Sequence, residues 1–340
     1  MAEVDDMIYE SIELYNVAEL LPTENNIGKC MTRIPNKLRV TLNPAAETNA
    51  LCAAGSEIRF NIEDKSVKIT LSSDGFGMAE LFQGNFHVSW QTINVKPTEI
   101  TVSLPDNLGF LNKVTKEKGL PFDPHLTRII LPIYSPIRFI GVEGKTSLPR
   151  KNQTPETKYL AYGSSITHGA SALRPTGSYA MRTAQRLGVD LINLGFGGGA
   201  HCENQIADYI AERKDWDFAS LEMGINMIGD FSTEEFTKRA EYLVERIVKA
   251  HPDKWVFAMD LFTFAADYDP ASEKQNEFRQ VVKNAVKKLD MPKLVYVDGR
   301  KMLKTTSGLT FDLVHPAPAG MEEIASNLSN LMKRKMVKLI

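Results

Sequence analysis

Across the first 150 residues the chain is written in short runs with an apolar side chain at every second position: KLRVTLN, EIRFNIE, SVKITLSS, FHVSWQTINV, EITVSLP, LTRIILPIY and IRFIGVEG. Gly, Pro, Asn and Asp fill the gaps between the runs. Period two places alternate residues on opposite faces of a strand, so each run predicts a strand with one buried face. Many short strands at regular spacing predict an antiparallel β-sandwich of jelly-roll type.

The pattern then changes. GKTSLPRKNQTPETK, residues 144–158, is polar, carries two prolines, and predicts a linker. Beyond it stand compact apolar runs, KYLAYG, DLINLGFG, FASLEMG, WVFAMDLF and KLVYVDG, as expected of parallel strands buried on both faces. Helical spacing separates them over 178–187, 203–213, 233–250, 271–289 and 317–335. In the third of these segments Phe236, Ala240, Leu243, Val244 and Ile247 fall on one face, and Pro252 stops the helix. Strand and helix in alternation predict a doubly wound α/β sheet. The expected organisation is a β-sandwich over residues 1–150 and an α/β domain over 151–340.

Composition narrows the class. The chain has 340 residues, 43% hydrophobic and 24% charged, with a net charge of -2. That length suits two domains, and that balance offers nothing to nucleic acid or to an anionic membrane surface. Cys30, Cys52 and Cys202 are odd in number and widely spaced, which suggests neither a disulfide framework nor a zinc site. The acidic start MAEVDDMIYESIELYN lacks the basic and apolar regions of a signal peptide, and no apolar stretch reaches the ~20 residues that span a bilayer. The expectation is a reduced, cytoplasmic protein, with homo-oligomer formation left open.

Chemistry is suggested by YLAYGSSITHGA, residues 159–170, where an apolar strand ends in Gly163 and two serines. A serine at that point meets the start of the next helix, but it is a weak nucleophile unless a base takes its proton. Of six histidines, His87 and His125 lie in the β-rich half, His251 ends a helix and is expected to be solvated, and His168 follows the serines too closely to be an obvious base. His201 trails a glycine run and could line a pocket. His315, in TFDLVHPAPAG, follows the last strand with Asp312 three residues before it, so the carboxylate could hold one ring nitrogen while the other faces a hydroxyl. NLGFGGGAH, residues 193–201, could expose backbone N–H groups to an oxyanion, and Asn226 in LEMGINM could add a side-chain amide. Each stretch taken alone also reads as an ordinary turn or helix cap.

In the order GSSIT, NLGFGGGA, GIN, DLVH the chain resembles the SGNH hydrolases, also called the GDSL esterase/lipase superfamily, over about residues 158–335. The resemblance implies a three-layer α/β/α sandwich with a parallel, flavodoxin-like sheet. It implies a nucleophile at Ser165, a base at His315 and an acid at Asp312. It also implies oxyanion donors at the Ser165 amide, Gly198 (with Gly197 as the alternative) and Asn226. Ser164 stands where the family more often has Asp. Some carbohydrate acetyl esterases of this kind carry a jelly-roll module first, which residues 1–150 resemble in strand pattern.

With that resemblance, these residues imply a serine carboxylester hydrolase that needs no metal or organic cofactor, and the front domain suggests as substrate a short acyl ester, acetyl first among candidates, of a saccharide or other small molecule. Two rivals remain at this point: an acyltransferase on the same triad, and a carbohydrate-binding protein whose hydrolase domain is inactive.

Overall fold

The computed structural model describes residues 7–23 and 27–336. Its N-terminal half holds twelve strands: β1 (Met7–Tyr9), β2 (Ile12–Tyr15), β3 (Glu19–Pro22), β4 (Lys29–Thr32), β5 (Glu57–Ile62), β6 (Val67–Ser73), β7 (Gly77–Gln83), β8 (Phe86–Ile93), β9 (Thr98–Val102), β10 (Leu126–Ile130), β11 (Ile137–Glu143) and β12 (Thr146–Ser147). They form two antiparallel sheets, one ordered β1-β2-β5-β10-β7-β8 with β12 on β5, the other β3-β4-β11-β6-β9. Ile58, Phe60, Ala79, Leu81 and Ile129 of the first sheet meet Met31, Ile69, Leu71, Ile100 and Phe139 of the second in one core. This is the expected jelly-roll-like sandwich.

Two expectations for this half need correction. KLRVTLN is not a strand. Its alternating Leu38, Val40 and Leu42 are carried by a helical turn, α1 (Asn36–Arg39), that follows Pro35, and then by the approach to α2 (Pro44–Asn49). The Asn43 side chain accepts from the Ala45 and Ala46 amides, and Pro44 sits at the first helical position, so this Asn-Pro pair is a helix start. The segment 144–158 is also no free linker. It contributes β12 to the sheet edge, and Gln153, fully buried, exchanges two side-chain hydrogen bonds of 2.8 and 3.0 Å with Asn61. The half also holds a helix, α3 (Leu108–Lys118), that the period-two pattern does not predict.

The C-terminal half follows the sequence closely. Strands β13 (Lys158–Gly163), β14 (Asp190–Gly195), β15 (Phe218–Glu222), β16 (Trp255–Met259) and β17 (Leu294–Val297) form one parallel sheet ordered β14-β13-β15-β16-β17. The helices are α4 (Ser165–His168), α5 (Tyr179–Leu187), α6 (Asn204–Glu212), α7 (Thr233–Ala250), α8 (Lys274–Leu289), α9 (Gly299–Met302) and α10 (Pro318–Lys335). α6, α7 and α8 cover one face of the sheet, and α5 and α10 cover the other. All five apolar positions singled out on α7 are fully buried. The order in which strands are added reverses between β13 and β15, and in such parallel sheets sites form at the carboxyl ends of the strands beside that switch. Among the described residues no helix is long and apolar enough to cross a membrane.

Candidate active site

β13 runs through buried Tyr159, Leu160, Ala161 and Tyr162 and ends at Gly163, in register with Gly195 of β14. A Cβ on Gly163 would lie 2.3 Å from the Thr167 hydroxyl and 2.4 Å from a Glu222 carboxylate oxygen, so only glycine lets those groups close over the turn. Ser164 is the N-cap of α4. Its Oγ accepts from the Ile166 amide at 3.1 Å and donates to Glu222 Oε2 at 2.7 Å, and its own amide donates to the same oxygen at 2.7 Å. That serine is buried and fully engaged.

Ser165 faces the other way. Its Oγ lies 2.8 Å from His315 Nε2, and His315 Nδ1 lies 2.7 Å from Asp312 Oδ2. The two histidine nitrogens thus divide between a hydroxyl and a carboxylate, although Ser165 and His315 are 150 positions apart. The loop that presents His315 is closed by a Leu309–Pro316 bridge and by the Thr310 amide donating to the His315 carbonyl at 2.8 Å. Asp312 Oδ1 accepts from Thr310 Oγ1 and from the amides of Val314 and His315, at 2.7, 2.8 and 2.9 Å. Partial burial raises the Asp312 pKa, but the bond from the His315 ring and these loop donors outweigh it and hold the carboxyl well below the usual carboxylate range. A carboxyl held that low carries its negative charge at neutral pH.

The third strand end brings Asn226. Its Oδ1 accepts from the Ala200 amide at 3.2 Å, which turns Nδ2 away from that contact. Gly198 sits exposed on the glycine loop in the left-handed region, φ +68°. The Ser165 amide, at the first position of α4, has no carbonyl within its helix to donate to. The residues singled out from the sequence thus come from the ends of three adjacent strands and from the loop before α10.

Three further histidines lie away from the Asp312–His315–Ser165 line. His201 packs on Phe231, ring centroids 5.0 Å apart. His251 is only partly solvated, contrary to expectation: it is half-buried, with Nε2 2.9 Å from the Ala211 carbonyl and the Trp216 ring against it. His168 is buried between the carbonyls of Gly195 and Ile133, each 2.9 Å from a ring nitrogen.

Glu222 escapes a reading by pattern, passing as part of an apolar strand. Its signal is a lone acid at the end of a run otherwise buried on both faces. Burial pushes its pKa up, against the Ser164 and Thr167 donors. Arg33, Asn43 and Asn49, all from the first half, also reach this loop; nothing in a period-two pattern marks them. Among the described residues no group of three or more His, Cys, Asp or Glu side chains is placed to hold a metal ion.

Residues 156–333 match the model of the GDSL-like lipase/acylhydrolase family, which is more than half of the chain. The chain belongs to that family. A search of the curated proteins found no match. Among solved structures, the chain is similar to the salicylyl-acyltransferase SsfX3 from a tetracycline biosynthetic pathway (16% identity, 98% of this chain and 96% of that one, TM-score 0.77). A GDSL-like lipase from Bacteroides ovatus is also similar (18% identity, 90% and 92%, TM-score 0.70). So is a family two carbohydrate esterase from Clostridium thermocellum solved with cellohexaose (15% identity, 84% and 94%, TM-score 0.64). At these identities the likeness is one of fold, and it takes in the β-rich half together with the α/β half.

Proposed function

We propose that this member of the GDSL-like family is a serine carboxylester hydrolase that removes a short acyl group, acetyl first among candidates, from a saccharide or other small alcohol. The observation that carries the reading is the unbroken relay Asp312–His315–Ser165, at 2.7 and 2.8 Å. In the proposed mechanism His315 Nε2 takes the Ser165 proton as Oγ attacks the ester carbonyl. The amides of Ser165 and Gly198 and the Asn226 side chain receive the negative charge that develops on oxygen. His315 then protonates the leaving alcohol, and later activates water to release the acid. Asp312 holds the ring in the tautomer whose Nε2 can accept, and stabilises the imidazolium once formed. No metal or organic cofactor takes part. The α/β half from about residue 151 carries this chemistry, and the sandwich before it borders the site. All three cysteines are unpaired, which supports a reducing, cytoplasmic setting.

A saccharide alcohol is suggested by the carbohydrate esterases among the similar folds. The similarity to an acyltransferase over nearly the whole chain keeps a second reading open, in which an acceptor alcohol replaces water. The acyl-enzyme is common to both. Hydrolysis of p-nitrophenyl esters of rising chain length, then of acetylated sugars, with products analysed with and without acceptor alcohols, separates them. Ser165→Ala should abolish turnover with the fold intact, and Ser164→Ala should keep a measurable share of it. The reverse result would sink the assignment.

A further inference from the structure

We propose that Asn49, a residue of the N-terminal half, is a positioning residue of the oxyanion loop, so that the sandwich side of the molecule is a working part of the active site. The inference rests on the esterase reading above. Among the described residues β14 is an edge strand of the parallel sheet, with backbone groups on its outer side that no further strand pairs. Side chains from residues 33–49 take the place of that strand. Arg33 donates to the carbonyls of Asn193 and Gly195, at 2.9 and 2.8 Å. Asn49 Nδ2 donates to the carbonyl of Gly197 at 2.9 Å, and Asn43 Nδ2 to that of Gly199 at 2.9 Å. Every second carbonyl from 193 to 199 is thus held from outside.

A trans peptide is planar, with its C=O and the following N–H pointing in opposite directions. Pulling the Gly195 carbonyl outward aims the Phe196 amide inward, where it donates to the Gly163 carbonyl at 2.8 Å. Holding the Gly199 carbonyl does the same for the Ala200 amide, which donates to Asn226. The peptide between them is Gly197–Gly198, and Asn49 anchors its carbonyl. The geometry therefore aims the Gly198 amide into the site and polarises it through the bond at the other end of the same peptide. Asn49 is itself held in place, because both hydrogens of its Nδ2 are taken by carbonyls, Ala45 at 2.8 Å and Gly197. Its Oδ1 lies 3.0 Å from where a Gly197 Cβ would stand, and Ser165 Cβ lies 3.7 Å from that point.

The test measures kcat per active site, titrated with a fluorophosphonate, for wild type, Asn49→Ala, Asn49→Asp and, as a control on the exposed side of the same helix, Thr48→Ala. Hydrolysis uses a soluble acetyl ester, and the affinity of a simple boronic acid, a tetrahedral mimic, is read alongside. The expected result is a kcat at least ~10-fold lower for both Asn49 variants, a fraction of the loss seen when an oxyanion donor is itself deleted. KM should stay within about twofold and boronate affinity should fall in parallel with kcat, while Thr48→Ala matches wild type. Asn49→Asp keeps the side-chain volume, so a loss in it does not rest on a packing defect. An active wild type whose Asn49 variants keep kcat per titrated site, or whose Thr48→Ala falls equally, overturns this inference alone. A wild type inactive on every ester overturns the esterase reading and this inference with it.

Discussion

Ser164 and Ser165 are chemically identical neighbours, and their surroundings give them opposite roles. One hydroxyl donates to a buried carboxylate and caps a helix; the other meets a histidine at a half-buried surface. Two residues beside Ser165 carry predictions. Asn226 spends its Oδ1 on Ala200, and in the proposed mechanism its Nδ2 meets charge that appears only in the transition state. Asn226→Ala should therefore lower kcat by ~10²–10³ and leave KM nearly unchanged, as steady-state kinetics on one acetyl ester would read. A variant with wild-type kcat would reduce Asn226 to a loop tether. Asp312 accepts from the His315 ring at 2.7 Å. In Asp312→Asn the amide can rotate its NH2 toward Nδ1, forcing the proton onto Nε2, where it blocks acceptance from Ser165. The expected loss in kcat/KM is at least ~10², on the reasoning that a wrong tautomer disables the base. Near-normal activity would mean that Ser165 and His315 work as a dyad.

At the scale of elements, α4 is one helical turn held between two halves of the molecule, and His168 is its last residue and its anchor. The ring lies between two carbonyls, yet a neutral imidazole donates to only one of them. Burial, reinforced by the Arg33 guanidinium, pushes its pKa down to about 4 against the pull of those carbonyls. The folded protein thus refuses a proton that the unfolded chain binds near pH ~6.5. Between those two values the unfolded state holds more protons, so stability falls as pH drops through the window and is restored as pH rises. The full loss from this group is about 3 kcal/mol, from a pKa gap of about 2.5 at ~1.4 kcal/mol for each whole step. Denaturant melts from pH 7 to 4 should show this slope in wild type and a flatter one in His168→Asn. Equal slopes would mean that the ring takes up a proton in place.

For the whole molecule, the face between the two halves combines apolar packing, such as Phe82, Ile130 and Ile133 against Ile166 and Ala172, with a buried ionic network. Arg59 of β5 binds Asp190, the first residue of β14, through two bonds of 2.7 Å, and reaches Glu57 at 2.8 Å. Arg128 holds Glu57 through bonds of 2.7 and 2.5 Å. Burial raises the Glu57 pKa, but Arg128 and Arg59 overcome it and bring the carboxyl down to about 2. Farther along the same face Glu80, fully buried, accepts from the amide and hydroxyl of Thr176 at 2.7 and 3.0 Å. Removing one partner from such a network leaves an uncompensated charge, so Asp190→Ala should cost about 3–5 kcal/mol in denaturant unfolding. The sandwich and the α/β half should also melt together in one transition. Two separated transitions in wild type, or a cost below about 1 kcal/mol, would show that the halves merely touch.

What could be read from residues alone follows from local physics. Short apolar runs alternating with helical spacing already pointed to the parallel sheet, because strands covered by helices on both faces bury both of their own faces. The four motif blocks pointed to Ser165, Gly198, Asn226, Asp312 and His315, because the proposed nucleophile, base and donors each need a particular residue type at a strand end or in the loop before the last helix. Tertiary structure decided what chemically equal or distant residues do. EIRFNIE alternates perfectly, and its polar positions read as a solvent face, yet all six residues of β5 are buried: Arg59 binds Asp190 of the other half, Arg128 holds Glu57, and Gln153 pairs with Asn61. KLRVTLN alternates as well, but Pro35 and the Asn43–Pro44 start bend it into helical turns. Glu222 beneath the serines, and Arg33, Asn43 and Asn49 along the glycine loop, act across 58 to 162 positions of sequence. Arg33, Asn43 and Asn49 act through hydrogen bonds to backbone carbonyls, which offer the sequence no letter by which a partner could be found, and Glu222 accepts from an amide and two hydroxyls likewise distant along the chain.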